Sequence, residues 1–168
     1  MIDFPRISGF REAGDTFNSR LRRKSRNLGE IISTSKMIPF EFLDSLSYEI
    51  RGAAMDVYNE LGPGLLESVY EKAMIHELRL REIQVSSQIP TPIIYKGEVV
   101  GDELRVDLLV DDTIVVELKS VEEIKKIHYK QLRTYLRLLN RPVGWLINFG
   151  EGNFTHGMIK IENKFFKQ

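Results

Sequence analysis

Apolar positions along residues 44–161 change their period several times, and each change marks an element. Leu46, Ile50, Ala53, Ala54, Val57, Tyr58 and Leu61 recur at helical spacing from about Asp44, and Gly62-Pro63-Gly64 stops the run. A second stripe of Leu66, Tyr70, Ala73, Met74 and Leu78 predicts a helix over residues 66–82. Residues 84–95 then read as a strand, but Pro90 and Pro92 remove ladder donors, which suits a sheet edge. Lys96-Gly97-Glu98 is a turn, and residues 99–110 supply one long strand or two short ones. Asp111-Asp112 marks the next turn. Residues 113–119, rich in β-branched side chains, are the following strand. Ser120 and Glu123 have the spacing of a capping box, which predicts a helix from Ser120 to about Leu139, ended by Asn140-Arg141-Pro142. Residues 143–149 are a further strand, 150–153 a loop and 155–161 a last strand. This order predicts an α/β fold, a mixed sheet flanked by helices.

Residues 1–40 break the pattern. They mix Gly, Ser, Asn and Arg without a period and hold a basic cluster at residues 20–26. With eight Lys or Arg against four Asp or Glu they net +4, so residues 41–168 net −4 in a chain that is neutral overall. We read them as a basic, flexible extension before a folded domain of residues 41–168. The plain account is a solvated tail, or sequence upstream of a start at Met37; the sharper one is an arm that grips phosphates. Acids at Asp3, Glu12, Asp15 and Glu30 speak against a transit peptide.

The neutral total argues against tight non-specific binding to nucleic acid, while leaving room for a local basic patch. The chain has no cysteine, which excludes disulfides, Cys-ligated zinc and thiol catalysis. No stretch approaches the roughly 18 apolar residues of a membrane span, and the N-terminus lacks a secretory apolar run. A soluble, cytoplasmic protein with no membrane partner is the expectation.

Candidate chemistry lies on the two central strands. Alternation puts Ile114, Val116 and Leu118 on one face of the strand and Val115, Glu117 and Lys119 on the other. In the strand before it, Val106, Leu108 and Val110 share one face, and Arg105, Asp107 and Leu109 the other. A buried charge is costly unless paired or bound to a metal. If Asp107 and Glu117 share a face, a divalent cation would neutralise them beside Lys119. Register decides this: a two-residue turn at Asp111-Asp112 sends them to opposite faces, whereas a three-residue loop or a bulge pairs them. The alternative is a solvated hairpin with a weak Glu–Lys surface pair. Downstream, Ile124, His128, Gln131, Tyr135 and Leu138 form one helical stripe that is polar in its middle. Glu67 stands in the first turn of its helix, where the dipole alone would accommodate an acid. His76, His128 and His156 are too scattered for a local metal site and are read as structural or exposed.

Taken together, these residues resemble the GxxExxY (GxxExxron) family of the PD-(D/E)XK nuclease superfamily. The likeness is carried by Gly64, Glu67 and Tyr70, by Asp107 ahead of Glu117-Leu118-Lys119, and by Gln131 and Tyr135. Tyr95-Lys96-Gly97 and Leu146-Ile147-Asn148-Phe149 extend it, so that it covers about residues 44–161. The proline that usually precedes the strand acid is replaced by Val106. The resemblance implies a restriction-endonuclease-like α-β-β-β-α-β core and a nuclease that uses Mg²⁺ or Mn²⁺. It implies Asp107, Glu117, Glu67 and the Leu118 carbonyl as metal ligands, with Glu67, Asp107, Glu117 and Lys119 as the catalytic set. Lys119 would position the attacking water, and Gln131 and Tyr135 would contact substrate or support the ligands. The implied partner is nucleic acid, DNA before RNA. The alternative is a catalytically silent nuclease-fold module that binds nucleic acid or regulates.

Overall fold

The computed structural model describes residues 38–101 and 103–167. The extension expected over residues 1–40 lies outside the described residues except for its last three. Ten elements follow in order: α1 Phe40–Leu61, α2 Glu67–Leu80, β1 Val85–Thr91, β2 Ile94–Tyr95, β3 Glu98–Val99, β4 Leu104–Val110, β5 Ile114–Lys119, α3 Lys126–Leu138, β6 Val143–Asn148 and β7 Met158–Glu162. Five strands form one sheet in the order β1-β4-β5-β6-β7. Only β5 and β6 run parallel, joined through α3; the other neighbours are antiparallel. β2 and β3 form a separate small hairpin, turned by Lys96 and Gly97 at positive φ. The fold is therefore mixed α/β with a flanked sheet, compatible with a restriction-endonuclease-like core. The proline-bearing strand is an edge strand, as its missing donors require. No helix among the described residues is long and apolar enough to cross a membrane.

Two apolar layers sandwich the sheet. Leu46, Ile50, Ala53, Ala54 and Val57 of α1 and Tyr70, Met74 and Leu78 of α2 pack with Leu108, Val110, Ile114, Val116 and Leu118. Leu132, Tyr135 and Leu136 of α3 pack on the opposite face with Val106, Leu109, Val115 and Leu146. Arg81 ties α1 to α2 through Glu49, Asp56 and Glu77. Three ends of the predicted stripes differ. Leu66 is the extended N-cap residue of α2 and is 75% exposed, Leu61 is exposed at the end of α1, and Ile124 precedes α3.

Two further expectations are corrected. The capping box at Ser120 does not form. The Ser120 hydroxyl donates to the Leu65 carbonyl (2.7 Å), and Val121 is tied to Asn148, so residues 120–125 stay a loop. The helix begins at Lys126, where His128 Nδ1 accepts the Lys125 N–H (3.2 Å). The strand alternation also fails, at Asp107. Leu108 and Val110 face the α1–α2 layer as a pair, but Val106 joins Leu109 in the α3 layer. The β1–β4 ladder runs Ser87↔Leu108 and Ile89↔Val106 and skips Gln88 and Asp107, with Gln88 at φ 52. Each strand spends one residue on this kink, so both switch faces while the register is kept.

Candidate active site

The hairpin between β4 and β5 has the odd count that brings its acids together. Val110 pairs with Ile114, leaving Asp111, Asp112 and Thr113 as the loop. Asp111 and Asp112 both take positive φ, which Asp tolerates better than most residues. Thr113 closes the loop, its N–H donating to the Val110 carbonyl (2.9 Å) and its hydroxyl to Asp111 (2.8 Å). The β4–β5 ladder ends at Leu108↔Val116. Beyond it the Leu118 N–H donates to Asp107 Oδ2 (2.8 Å). The kink has released Asp107 from the ladder, and its carboxylate takes a backbone donor of β5.

Glu117 is wholly buried. Its Oε1 accepts from Lys119 Nζ at 2.6 Å, while Oε2 is buried with no hydrogen-bond partner among the described residues. Lys119 Nζ also stands 3.7 Å from Glu67 Oε1. Burial, reinforced by Asp107, pushes the Glu117 carboxyl up to about 7 despite Lys119. Burial likewise raises Asp107, opposed by the Leu118 N–H and by Lys119. It raises Glu67 too, where Lys119 opposes it and Asp107 adds to it. For Lys119, burial works against the ammonium, but Glu117, Glu67 and Asp107 outweigh it and lift the pKa. Three acids thus share one firmly held cation. Among the described residues, no three or more carboxylate or imidazole groups are arranged as a ready ligand set for a metal.

Glu67 reaches the cluster because of how its loop is held. Gly62-Pro63-Gly64 turns with both glycines at positive φ, and Glu67 is the first residue of α2. The Tyr70 hydroxyl donates to the Gly62 carbonyl (2.6 Å) and accepts the Leu65 N–H (3.1 Å). Its ring stacks on Phe149 at 4.3 Å between centroids. The Gly64–Glu67–Tyr70 spacing therefore has a local meaning: the tyrosine one turn into the helix pins the loop that delivers the acid.

From the other side, α3 contributes Tyr135, which is buried, and Gln131, whose Nε2 donates to the Tyr135 hydroxyl (3.0 Å). The Tyr135 pKa is raised, first by burial and further by Glu117 and Asp107, so its phenol belongs to the same electrostatic neighbourhood. Every side chain singled out in the sequence for this site thus lies in or beside one cluster. Leu118 enters through its backbone N–H. His76 and His156 are exposed and stand apart. His128 has its structural task at the start of α3, and burial, then the charges of Lys119 and Lys125, lower its pKa.

Asn148, which the sequence marks only as part of the Leu146–Phe149 stretch, has a role that its pattern does not disclose. It is wholly buried and lies opposite Lys119 in the parallel ladder. Its Oδ1 accepts the N–H groups of Val121 (3.0 Å) and Gly150 (3.1 Å), and its Nδ2 donates to the Val121 carbonyl (2.8 Å). Gly150 must lack a side chain, since a Cβ would lie 2.4 Å from the Val121 carbonyl oxygen. This clamp fixes the chain just after Lys119. An amide ending an apolar strand was the available signal.

Residues 44–161 match the family model of the PD-(D/E)XK nuclease superfamily. No curated protein and no solved structure matches the chain.

Proposed function

Because the chain belongs to the PD-(D/E)XK nuclease superfamily, we propose that it hydrolyses phosphodiester bonds of nucleic acid with a divalent cation, Mg²⁺ or Mn²⁺. The superfamily makes nucleic acid the expected substrate, and we take DNA before RNA. Within the superfamily, Gly64, Glu67 and Tyr70 support placement in the GxxExxY family. One observation carries the reading: a wholly buried glutamate with an orphaned oxygen, beside a lysine and a second strand acid. A buried carboxylate oxygen without a donor costs free energy that a cation would recover. The donor set of Asp107, Glu117, Glu67 and the Leu118 carbonyl is all hard oxygen, which fits Mg²⁺ or Mn²⁺ better than zinc.

Such a cation, when bound, supplies Lewis acidity and a water of lowered pKa. The protein's own groups do the rest. Asp107 and Glu117 hold negative charge at a fixed point between two strands, with Glu67 at its edge. Lys119, kept protonated by these acids, acts as a donor and counter-charge to the phosphate rather than as a base. Gln131 and Tyr135 form a hydrogen-bonded pair that orients whatever contacts α3.

A second reading has its own observation. Lys119 already gives Glu117 a cationic partner at 2.6 Å, and no ready ligand set is assembled among the described residues. That arrangement suits a silent nuclease-fold module that binds nucleic acid or regulates. Calorimetric titration with Mn²⁺, followed by Mg²⁺-dependent cleavage of single-stranded, duplex and structured DNA and RNA, separates the two. The nuclease reading expects one metal site lost in Asp107→Ala and Glu117→Ala, and cleavage lost in Lys119→Ala. Wild-type protein that binds no metal and cuts none of these substrates would leave the silent module.

A further inference from the structure

Helix α3 is cationic in a way the neutral chain conceals. Residues 124–150 contain Lys125, Lys126, Lys130, Arg133, Arg137 and Arg141 and no Asp or Glu at all. The flank of α3 away from Gln131 and Tyr135 borders a groove of about 610 Å³, closed on its other side by β7 and residues 163–165. Four cations line it, Arg133 and Arg137 from α3 and Lys160 and Lys164 from β7 and beyond, against the single acid Glu162. None of these four is in an ion pair among the described residues. The arginines that serve the fold behave otherwise: Arg81 binds three acids, and Arg141 binds Asp112 at 2.6 Å. Two rings stand among the charges, Tyr129 on the helix and Phe165, which is 75% exposed.

Unpaired cations with one half-buried ring, Tyr129, and one exposed ring, Phe165, among them suit a single nucleic-acid strand. Phosphates take the charge, and any base offers a π-face for stacking. We propose that the α3–β7 groove binds one strand of nucleic acid, its phosphates on Arg133, Arg137, Lys160 and Lys164 and its bases against Tyr129 and Phe165. The ligand's identity rests on the nuclease reading above. The groove and the acid cluster occupy two flanks of the same helix, so a strand held in the groove is delivered along α3 to the side that carries Gln131 and Tyr135.

The test is anisotropy of fluorescent oligothymidylate with the full chain in EDTA, where metal-dependent cleavage is absent and binding is read alone. Wild-type protein is expected to bind with an affinity that falls as salt rises. In Arg133→Ala/Arg137→Ala/Lys160→Ala the slope of log affinity against log salt should flatten by about 2, at roughly 0.7 per lost phosphate contact. Phe165→Ala should weaken binding about tenfold with the slope unchanged, as loss of one stacked base does. Arg79→Ala, which removes an exposed charge from α2, serves as control, and thermal melts verify folding. The proposal is overturned by wild-type protein that does not bind, by an Arg79→Ala effect equal to that of the groove variants, or by polyglutamate displacing the oligonucleotide at equal concentration. The last result would assign the groove to an acidic polypeptide. Protein that binds but never cleaves keeps the groove and loses the nuclease; protein that cleaves while the groove variants bind normally loses only the groove.

Discussion

Glu117→Gln isolates the cost of the buried acid. The folded chain holds this carboxyl at about 7, against an ordinary 4.5. Between those values the folded state keeps the proton and the unfolded state has released it. The folded state therefore binds more protons, and stability must fall as pH rises through this window. The contribution is complete below about pH 4.5 and lost above about pH 7. Each pH unit between the two values is worth about 1.36 kcal/mol, so the loss is capped at roughly 3 kcal/mol. Asp107 and Glu67 are displaced in the same direction and steepen the wild-type curve. Glutamine has the shape of the protonated acid and does not titrate. Its Oε1 still accepts from Lys119, which keeps Glu67 as an ionic partner. Urea unfolding in EDTA at pH 5 and pH 8 reads the difference. The two proteins should be about equally stable at pH 5, and the variant should be more stable at pH 8 by up to roughly 3 kcal/mol. Curves that stay parallel across the whole range would refute the assignment of a costly buried charge to Glu117. The same variant should lose metal binding and cleavage, so stability and activity should move in opposite directions, as expected where a site is held under strain for a task.

Two further perturbations test the scaffold. Asn148→Ala orphans the Val121 and Gly150 N–H groups and the Val121 carbonyl, and should cost on the order of 3 kcal/mol in urea unfolding; Asn148→Asp keeps both acceptor contacts but sets a buried carboxylate oxygen against the Val121 carbonyl, and should not recover the loss. Tyr70→Phe retains the ring on Phe149 but leaves the Gly62 carbonyl and the Leu65 N–H without the hydroxyl, for about 1–3 kcal/mol. Since this loop carries Glu67, Mn²⁺ affinity measured by calorimetry should fall as well; unchanged affinity would show that the pinned loop has no bearing on the site.

What the sequence made legible was whatever depends on a residue's own neighbours along the chain. Helical and strand periods and the proline-marked edge are of this kind, whereas the grouping of Glu67, Asp107, Glu117 and Lys119 with Gln131 and Tyr135 rests on the family resemblance. The hairpin register stood open between two counts because Thr113, a β-branched residue, reads as strand. Only its bonds to Val110 and Asp111 make it a loop residue. The capping box failed because Ser120 had a better partner 55 positions away in Leu65, and no local motif reports a competitor of that kind. The role of Asn148 stayed hidden for the same reason, two of its three side-chain bonds reaching 27 residues back to Val121.

The kink at Asp107 joins these failures to the chemistry. An unbroken pleat would have kept Val106 beside Leu108 and held residue 107 in the β1–β4 ladder. Instead both strands switch faces there, opposite Gln88 at positive φ. A left-handed glutamine is uncommon and costs conformational energy, and such conformations gather where a site needs them. Here the cost frees one residue from strand pairing. That residue is the acid whose carboxylate takes the Leu118 N–H and raises the pKa of Glu117 from the neighbouring strand. Strict alternation is an incomplete account of how the two acids meet: the odd loop count aligns them, and the broken pleat turns Asp107 from a ladder residue into an acceptor for the Leu118 N–H.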